Sequence, residues 1–272
     1  MASLAITSRS FSKHPLLRKE VLRIYPDAIF NDRGVSLEGN SLIDFLKGSQ
    51  KAITALETID ESVLCKLPDL KIISKYGVGL DMIDLFAMEQ HNVKLAWKGG
   101  INKRSVSELV LSSAISLLHR SIFANSEVRK NKWYQIKGRQ LSSATFGIIG
   151  CGNIGKDLIK LLQPFNCKIL VNDIQDYPDY FKLYNIKNVS IENLVSNSDV
   201  ISLHLPLNES TKNIINKEKI KKFKKDSILI NYARGGLIDE DALKESLLLK
   251  NISGAAFDVF EIEPPIKNEF SN

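Results

Sequence analysis

The chain has 272 residues, 44% hydrophobic and 25% charged, with a formal net charge of +6. That is the make-up of an ordinary globular protein with room for two cores, on a soft prior of roughly 150 residues per domain. Its three cysteines (Cys65, Cys151 and Cys167) have neither the pairing of a disulfide framework nor metal-site spacing, and the longest apolar helix candidate, 106–118, is too short and too serine-rich to span a bilayer.

The start of the chain lacks the basic region and cleavage pattern of a signal peptide, so a cytoplasmic, reducing setting is expected. Positive charge is spread along the chain. Its densest run, Lys217-Glu-Lys-Ile-Lys-Lys-Phe-Lys-Lys225, sets Ile220 and Phe223 three apart among charges, as on a solvated helix face. Neither nucleic acid nor membrane is therefore expected as a partner. A mildly basic surface suits an anionic cofactor and substrate.

In chain order, strands are expected at 4–7, 28–31, 51–55, 71–75 and 94–97, with helices at 15–25, 42–47 and 61–66. Short apolar strands separated by helices imply a parallel sheet covered on both faces. No G-x-G-x-x-G stands at the first turn, so this half reads as a flavodoxin-like domain without a nucleotide of its own. A long amphipathic helix follows over 103–121, where Val106, Leu109, Val110, Ser113, Leu117 and Leu118 give the helical period. A polar segment with Trp133 and Tyr134 comes next. A second sheet starts near Thr145, and its later strands at 200–203, 227–231 and 254–257 are joined by helices at 216–223 and 239–250. The fold class is α/β, with two doubly wound parallel-sheet domains, 1–98 and 99–272. There are no repeats and no low-complexity tract.

The strongest signal is Ala144-Thr-Phe-Gly-Ile-Ile-Gly-Cys-Gly-Asn-Ile-Gly-Lys156, followed by Cys167-Lys-Ile-Leu-Val-Asn-Asp173. It reads as strand, glycine turn, helix, strand, acid. Gly150 allows the tight turn, Gly152 lets a pyrophosphate approach the backbone, and Gly155 lets the helix pack close to the sheet. The helix start offers unpaired N–H groups and a positive dipole end to phosphates. Asp173 can accept from a ribose diol and would repel a 2′-phosphate, which points to a Rossmann domain binding NAD rather than NADP.

Three later segments begin in a buried strand and end in polar residues. They are Ile201-Ser-Leu-His-Leu-Pro-Leu-Asn208 with Thr211 beyond it, Ile230-Asn-Tyr-Ala-Arg-Gly-Gly-Leu-Ile-Asp239, and Gly254-Ala-Ala-Phe-Asp-Val-Phe-Glu-Ile-Glu-Pro-Pro265. Ligands of open parallel sheets bind beyond the carboxyl ends of strands, so Arg234, Asp258 and Glu263 should meet at the dinucleotide crevice. With Lys75-Tyr-Gly-Val-Gly-Leu-Asp81 and Asn102-Lys-Arg-Ser-Val-Ser-Glu-Leu109, these motifs resemble the D-isomer-specific 2-hydroxyacid dehydrogenases over nearly the whole chain.

The resemblance implies a substrate domain at 1–98, an inserted NAD-binding domain, and a cleft between them. It implies a homodimer supported by the 103–121 helix, and a small 2-hydroxy or 2-keto acid as substrate, 3-phosphoglycerate among the candidates. It gives Arg234 the substrate carboxylate and reacting oxygen, with the amides of Gly77, Val78 and Gly79 on the same carboxylate. Asn153, Ile154, His204, Pro206, Thr211 and Ala233 join Gly150, Gly152, Gly155 and Asp173 around the cofactor, and Asp258 contacts the nicotinamide carboxamide. Glu263 would partner a catalytic histidine, raising its pKa and fixing its tautomer. No metal ligands are implied.

The chain departs from the family pattern in two places. The family carries its catalytic histidine in a Pro-His loop beyond the segment matching Glu263-Pro-Pro265, whereas the histidines here are His14, His91, His119 and His204. The last crossing helix is also unmatched, and 267–272 is polar. The expectation is a truncated dehydrogenase with impaired catalysis. The alternative is a non-catalytic NAD(H)-binding sensor or scaffold. The second departure is Ala96-Trp-Lys-Gly-Gly100, where many members have Asn-Thr-Pro-Gly. For a phosphorylated substrate, Lys75, Lys98 and Arg104 are the candidate cations.

Overall fold

The computed structural model describes residues 3–263 and Pro265. Met1, Ala2, Pro264 and 266–272, which hold the polar end segment 267–272, lie outside the described residues. The chain divides into two compact units, Met1–Ile101 and Asn102–Asn272, three residues beyond the boundary drawn from sequence.

The first unit runs β1 (Leu4–Ile6), α1 (Arg9–Lys13), α2 (Pro15–Ile24), β2 (Ile29–Phe30), α3 (Gly39–Leu46), β3 (Lys51–Thr54), α4 (Glu61–Leu64), β4 (Ile72–Lys75), α5 (Leu85–Gln90) and β5 (Lys94–Ala96). All five strands are parallel, in the order β2-β1-β3-β4-β5. This is the flavodoxin-like order. Successive residues of β1 serve opposite faces: Ala5 packs with Leu42, Leu46, Ile59 and Ile73, while Leu4 and Ile6 pack with Phe11 and Phe30. A strand buried on both faces has to be apolar throughout. Side chains set the helix starts: Asp60 accepts from the Val63 N–H and Asp84 from the Ala87 N–H. Helix α3 begins three residues earlier than the apolar period suggests, because Glu38 and Ser41 form a capping box there.

The second unit runs α6 (Lys103–Leu118), α7 (Ser121–Arg129), a 3₁₀ turn (Leu141–Ser143), β6 (Thr145–Ile149), α8 (Asn153–Leu162), β7 (Lys168–Asn172), α9 (Pro178–Leu183), β8 (Lys187–Asn188), α10 (Ile191–Asn197), β9 (Val200–Leu203), α11 (Lys217–Ile220), β10 (Ile228–Asn231), α12 (Glu240–Leu248) and β11 (Gly254–Phe257). Its parallel sheet has the order β11-β10-β9-β6-β7-β8. Counted from β6 this is 3-2-1-4-5-6, the Rossmann order. Alternate strand residues again divide between two cores. Ile148, Ile228 and Ile230 face α6 and α8 with Val110, Ala114 and Leu158. Ile149, Leu203 and Leu229 pack with Leu194, Ile215 and Leu243.

The helix expected over 103–121 stops at Leu118. Arg120 takes a left-handed conformation (φ 53°), and α7 follows at 62° where a polar segment was expected. No single described helix is long and apolar enough to cross a membrane. The bent α6–α7 pair passes only as a pair, and Val110, Ala114 and Leu118 are buried in the core. In the lysine-rich run Ile220 is buried, while Lys217 pairs with Glu245 at 2.7 Å and Lys221 with Glu218 at 2.9 Å.

Candidate functional site

Strands β6 and β9 are neighbours, yet Phe146 pairs with Val200, 54 positions later. The chain leaves their carboxyl ends toward opposite sides, and a crevice opens there. Three strand ends are tied together at its floor. The Gly150 N–H donates to the Asn172 carbonyl at 2.8 Å, and the His204 N–H to the Ile149 carbonyl at 2.7 Å. Gly150 turns the chain at φ 98°, where a Cβ would stand 2.5 Å from the His204 carbonyl oxygen. Gly152 caps α8 without a side chain, and nothing lies within 4 Å of where its Cβ would be. Bare backbone therefore faces open space at the start of a ten-residue helix, and its first amides and positive dipole end are offered to an anion. Asn153 and Ile154 form the first turn, and Gly155 packs against the Gly150 carbonyl.

Asp173 follows β7. One of its carboxylate oxygens accepts from the Cys151 N–H at 2.5 Å and the other from the Gln175 N–H at 2.7 Å. The acid is thus bound directly to the glycine turn. His204 follows β9, with Nε2 3.0 Å from the Ser202 hydroxyl. Its Nδ1 is buried without a hydrogen-bond partner, and burial pushes the ring's pKa down to about 4, so it is neutral. Pro206 is exposed. Thr211 is buried and closes the loop from within: its hydroxyl donates to the Pro206 carbonyl at 2.7 Å and accepts from the Asn208 N–H at 2.8 Å.

The loop after β10 is held by a residue that the motif reading passed over. Buried Asn231 accepts from the Ala233 N–H at 3.1 Å and donates to the Arg234 carbonyl at 2.8 Å. An asparagine at a strand end, two residues before the loop it ties, is the sequence sign of such a turn. The Tyr232 hydroxyl lies 2.6 Å from that of Ser113 on α6. Arg234 is half-buried, with one guanidinium nitrogen donating to the Ala233 carbonyl at 2.7 Å. Gly235 lies against the Phe260 carbonyl and the Glu261 amide, leaving no room for a Cβ. Exposed Asp258 follows β11, and its N–H donates to the Asn231 carbonyl at 3.2 Å. Glu263 accepts from the Phe260 N–H at 3.0 Å, closing the turn after β11.

In the first unit, Gly77, Val78 and Gly79 follow β4, with Gly77 at φ 143°. The Trp97 indole N–H donates to the Val78 carbonyl at 3.1 Å. The residue that departs from the family pattern thus braces this loop. Of the candidate cations, Lys75 donates to the Ala55 carbonyl, and Arg104 pairs with buried Asp157 at 3.0 Å. Among the described residues no cluster of His, Cys, Asp or Glu is placed to hold a metal ion.

The second unit's geometry fits a dinucleotide: bare backbone at Gly152, an uncapped helix start, a carboxylate at the end of β7, and an unpartnered ring nitrogen at the crevice. Residues 111–272 match the family model for the D-isomer specific 2-hydroxyacid dehydrogenase NAD binding domain. The chain is 38% identical to a hydroxypyruvate reductase of Thermotoga maritima over 203 residues, covering 72% of this chain and 64% of that protein. It is 34% identical to a glyoxylate reductase of Thermofilum pendens over 215 residues, 76% of this chain and 63% of that one. It therefore spans less than two thirds of both. Among solved structures, a D-lactate dehydrogenase from Treponema pallidum superposes with a TM-score of 0.79 at 26% identity, covering 100% of this chain and 83% of that one.

Proposed function

The chain belongs to the D-isomer-specific 2-hydroxyacid dehydrogenase family, and from that premise we propose that it works as an NAD-dependent oxidoreductase on a small 2-hydroxy or 2-keto acid. The cofactor is NAD. When bound, it supplies the acceptor or donor of the hydride exchanged with C2 of the acid. The amides from Gly152 to Gly155 hold the pyrophosphate. Asp173 accepts from the ribose diol. His204, Pro206 and Ala233 line the cofactor and Asp258 meets the nicotinamide carboxamide, while Thr211 keeps the Pro206 loop closed. Arg234 binds the substrate carboxylate through its planar fork. By the family pattern Glu263 would orient an acid/base imidazole, and none of His14, His91, His119 and His204 lies in the matching loop.

The observation that carries this reading is the gathering of the Gly150–Gly155 turn, Asp173, His204, Arg234 and Asp258 at the carboxyl edge of one Rossmann-ordered sheet. The test is NADH fluorescence titration followed by loss of absorbance at 340 nm with glyoxylate, hydroxypyruvate and related 2-keto acids. Binding with turnover supports the proposal, and no binding overturns it.

Binding without turnover is the outcome of a second reading, a non-turnover NAD(H) sensor or scaffold. One observation favours it: three of the four histidines are already engaged or shielded. His14 caps α2, His91 lies 2.9 Å from Glu61, and His204 is neutral beside Ser202, while His119 is exposed beside Gly138.

A homodimer and a cytoplasmic setting belong to the same proposal. Leu109, Ile122, Phe123, Val128, Trp133 and Tyr134 are exposed on and after α6 and α7. Exposed apolar side chains of this kind suit contact with a second copy. Sedimentation showing a monomer at micromolar concentration would count against the dimer.

A further inference from the structure

Resting on the NAD reading, we infer that Lys156 and Tyr177 are positioning residues for Asp173, and that through them the chain selects NAD over its 2′-phosphorylated form. A carboxylate has about four lone-pair sites. Two sites on Asp173 are taken by the Cys151 and Gln175 amides, one on each oxygen. The two that remain match the two O–H donors of a vicinal diol. A 2′-phosphate brings no donor there and adds negative charge against the acid. Repulsion discriminates only if the acid cannot swing away, so the 173–177 turn has to be rigid.

The turn is pinned at its far end as well. The Tyr177 hydroxyl donates to the Gln175 side-chain carbonyl at 2.6 Å. The Tyr177 ring lies under the Lys156 ammonium, 3.4 Å from the ring centre, and packs edge-on against Phe181 at 5.9 Å. Lys156 is fixed in turn: its ammonium also stands 5.5 Å over Tyr180, whose hydroxyl donates to the Lys156 carbonyl at 2.8 Å. Contacts thus close a circuit from the glycine turn through Asp173, Gln175 and Tyr177 back to α8. Lys156 is half-buried on the fourth residue of that helix, near the end where the dipole disfavours a cation. Among the described residues it forms no ion pair. Its position is accounted for by the two tyrosine faces it holds.

The test titrates NADH, NADPH and ADP-ribose into the wild type and into Tyr177→Phe, Lys156→Met and Lys156→Arg, with melting temperature followed alongside. Tyr177→Phe keeps the ring over the ammonium and removes only the hydroxyl. The expected result is an NADH-over-NADPH preference reduced about 5–10-fold in Tyr177→Phe and Lys156→Met, the scale of one lost hydrogen bond or cation–π contact. ADP-ribose binding should weaken in step with NADH, and Lys156→Arg should keep the preference because guanidinium stacks on aromatic faces. An unchanged preference, or equal losses for both dinucleotides tracking a fall in melting temperature, overturns the inference and leaves the NAD reading standing. A wild type that binds neither dinucleotide overturns the NAD reading itself, and the inference with it.

Discussion

Replacing His204 by glutamine is expected to remove much of the acid sensitivity of the second unit. In the folded chain the ring titrates at about 4 because burial disfavours its charged form, whereas an unfolded histidine titrates near 6.5. Between those values the unfolded chain holds the extra proton. Stability therefore rises with pH in that window, is fully present above about 6.5, and is lost as pH falls toward about 4. Integrated from about pH 7.5 to about pH 4.5, the loss has a ceiling of about 2.5 kcal/mol. Nδ1 is buried, but the residue as a whole is only half-buried. Solvent screening at a half-buried residue brings the figure nearer to about 2 kcal/mol. Glutamine does not titrate and can still reach the Ser202 hydroxyl. Urea unfolding of both proteins without cofactor, at the two pH values, gives the difference directly, because carboxylates such as Asp199 contribute equally to both and cancel. Equal losses of stability in wild type and variant would refute the reasoning.

Other perturbations separate cofactor binding from folding. Gly152→Ala puts a methyl group where no protein atom stands, so unfolding should shift by only about 0.5–1 kcal/mol, while NADH affinity measured by fluorescence falls about 10–100-fold. Gly235→Ala forces the Phe260 carbonyl away. A cost of about 1–3 kcal/mol and faster hydrogen exchange over 254–263 are expected. Asn231→Leu leaves the Ala233 N–H and the Arg234 carbonyl without their partner, so the denaturation midpoint should correspond to a loss of about 2–4 kcal/mol.

Sequence periodicity served well where one physical term dominated. Ile201, Leu203, Ile228 and Ile230 are buried strand residues, and a run of such residues has few alternatives to a doubly covered sheet. The glycine turn was legible because close backbone approach tolerates only glycine at Gly150 and Gly155. Polar and local geometry was not legible. Strand β8 is two residues, Lys187 and Asn188, both exposed, and carries no hydrophobic signal. Helix α7 follows a left-handed arginine and buries no residue fully, so it carries no buried-face period to mark it as a helix. Within the candidate site, Asp173, His204 and Arg234 stood out by motif. Asn231, Lys156, Gln175 and Tyr177 did not, because their work depends on which residues the fold brings beside them.

The long reach of the β6–β9 ladder bears on how the protein acquires its site. In the second sheet the other ladders join partners 17 to 28 positions apart, such as Leu170 with Lys187 and Val200 with Ile228, against 54 for Phe146 with Val200. Closing the larger loop costs more chain entropy before contacts reward it. The crevice bounded by that ladder should therefore complete late in refolding, with no binding place for NAD until it has. Cofactor in the refolding buffer should deepen the final native well by mass action and slow escape from it, while leaving the rate of descent as it was.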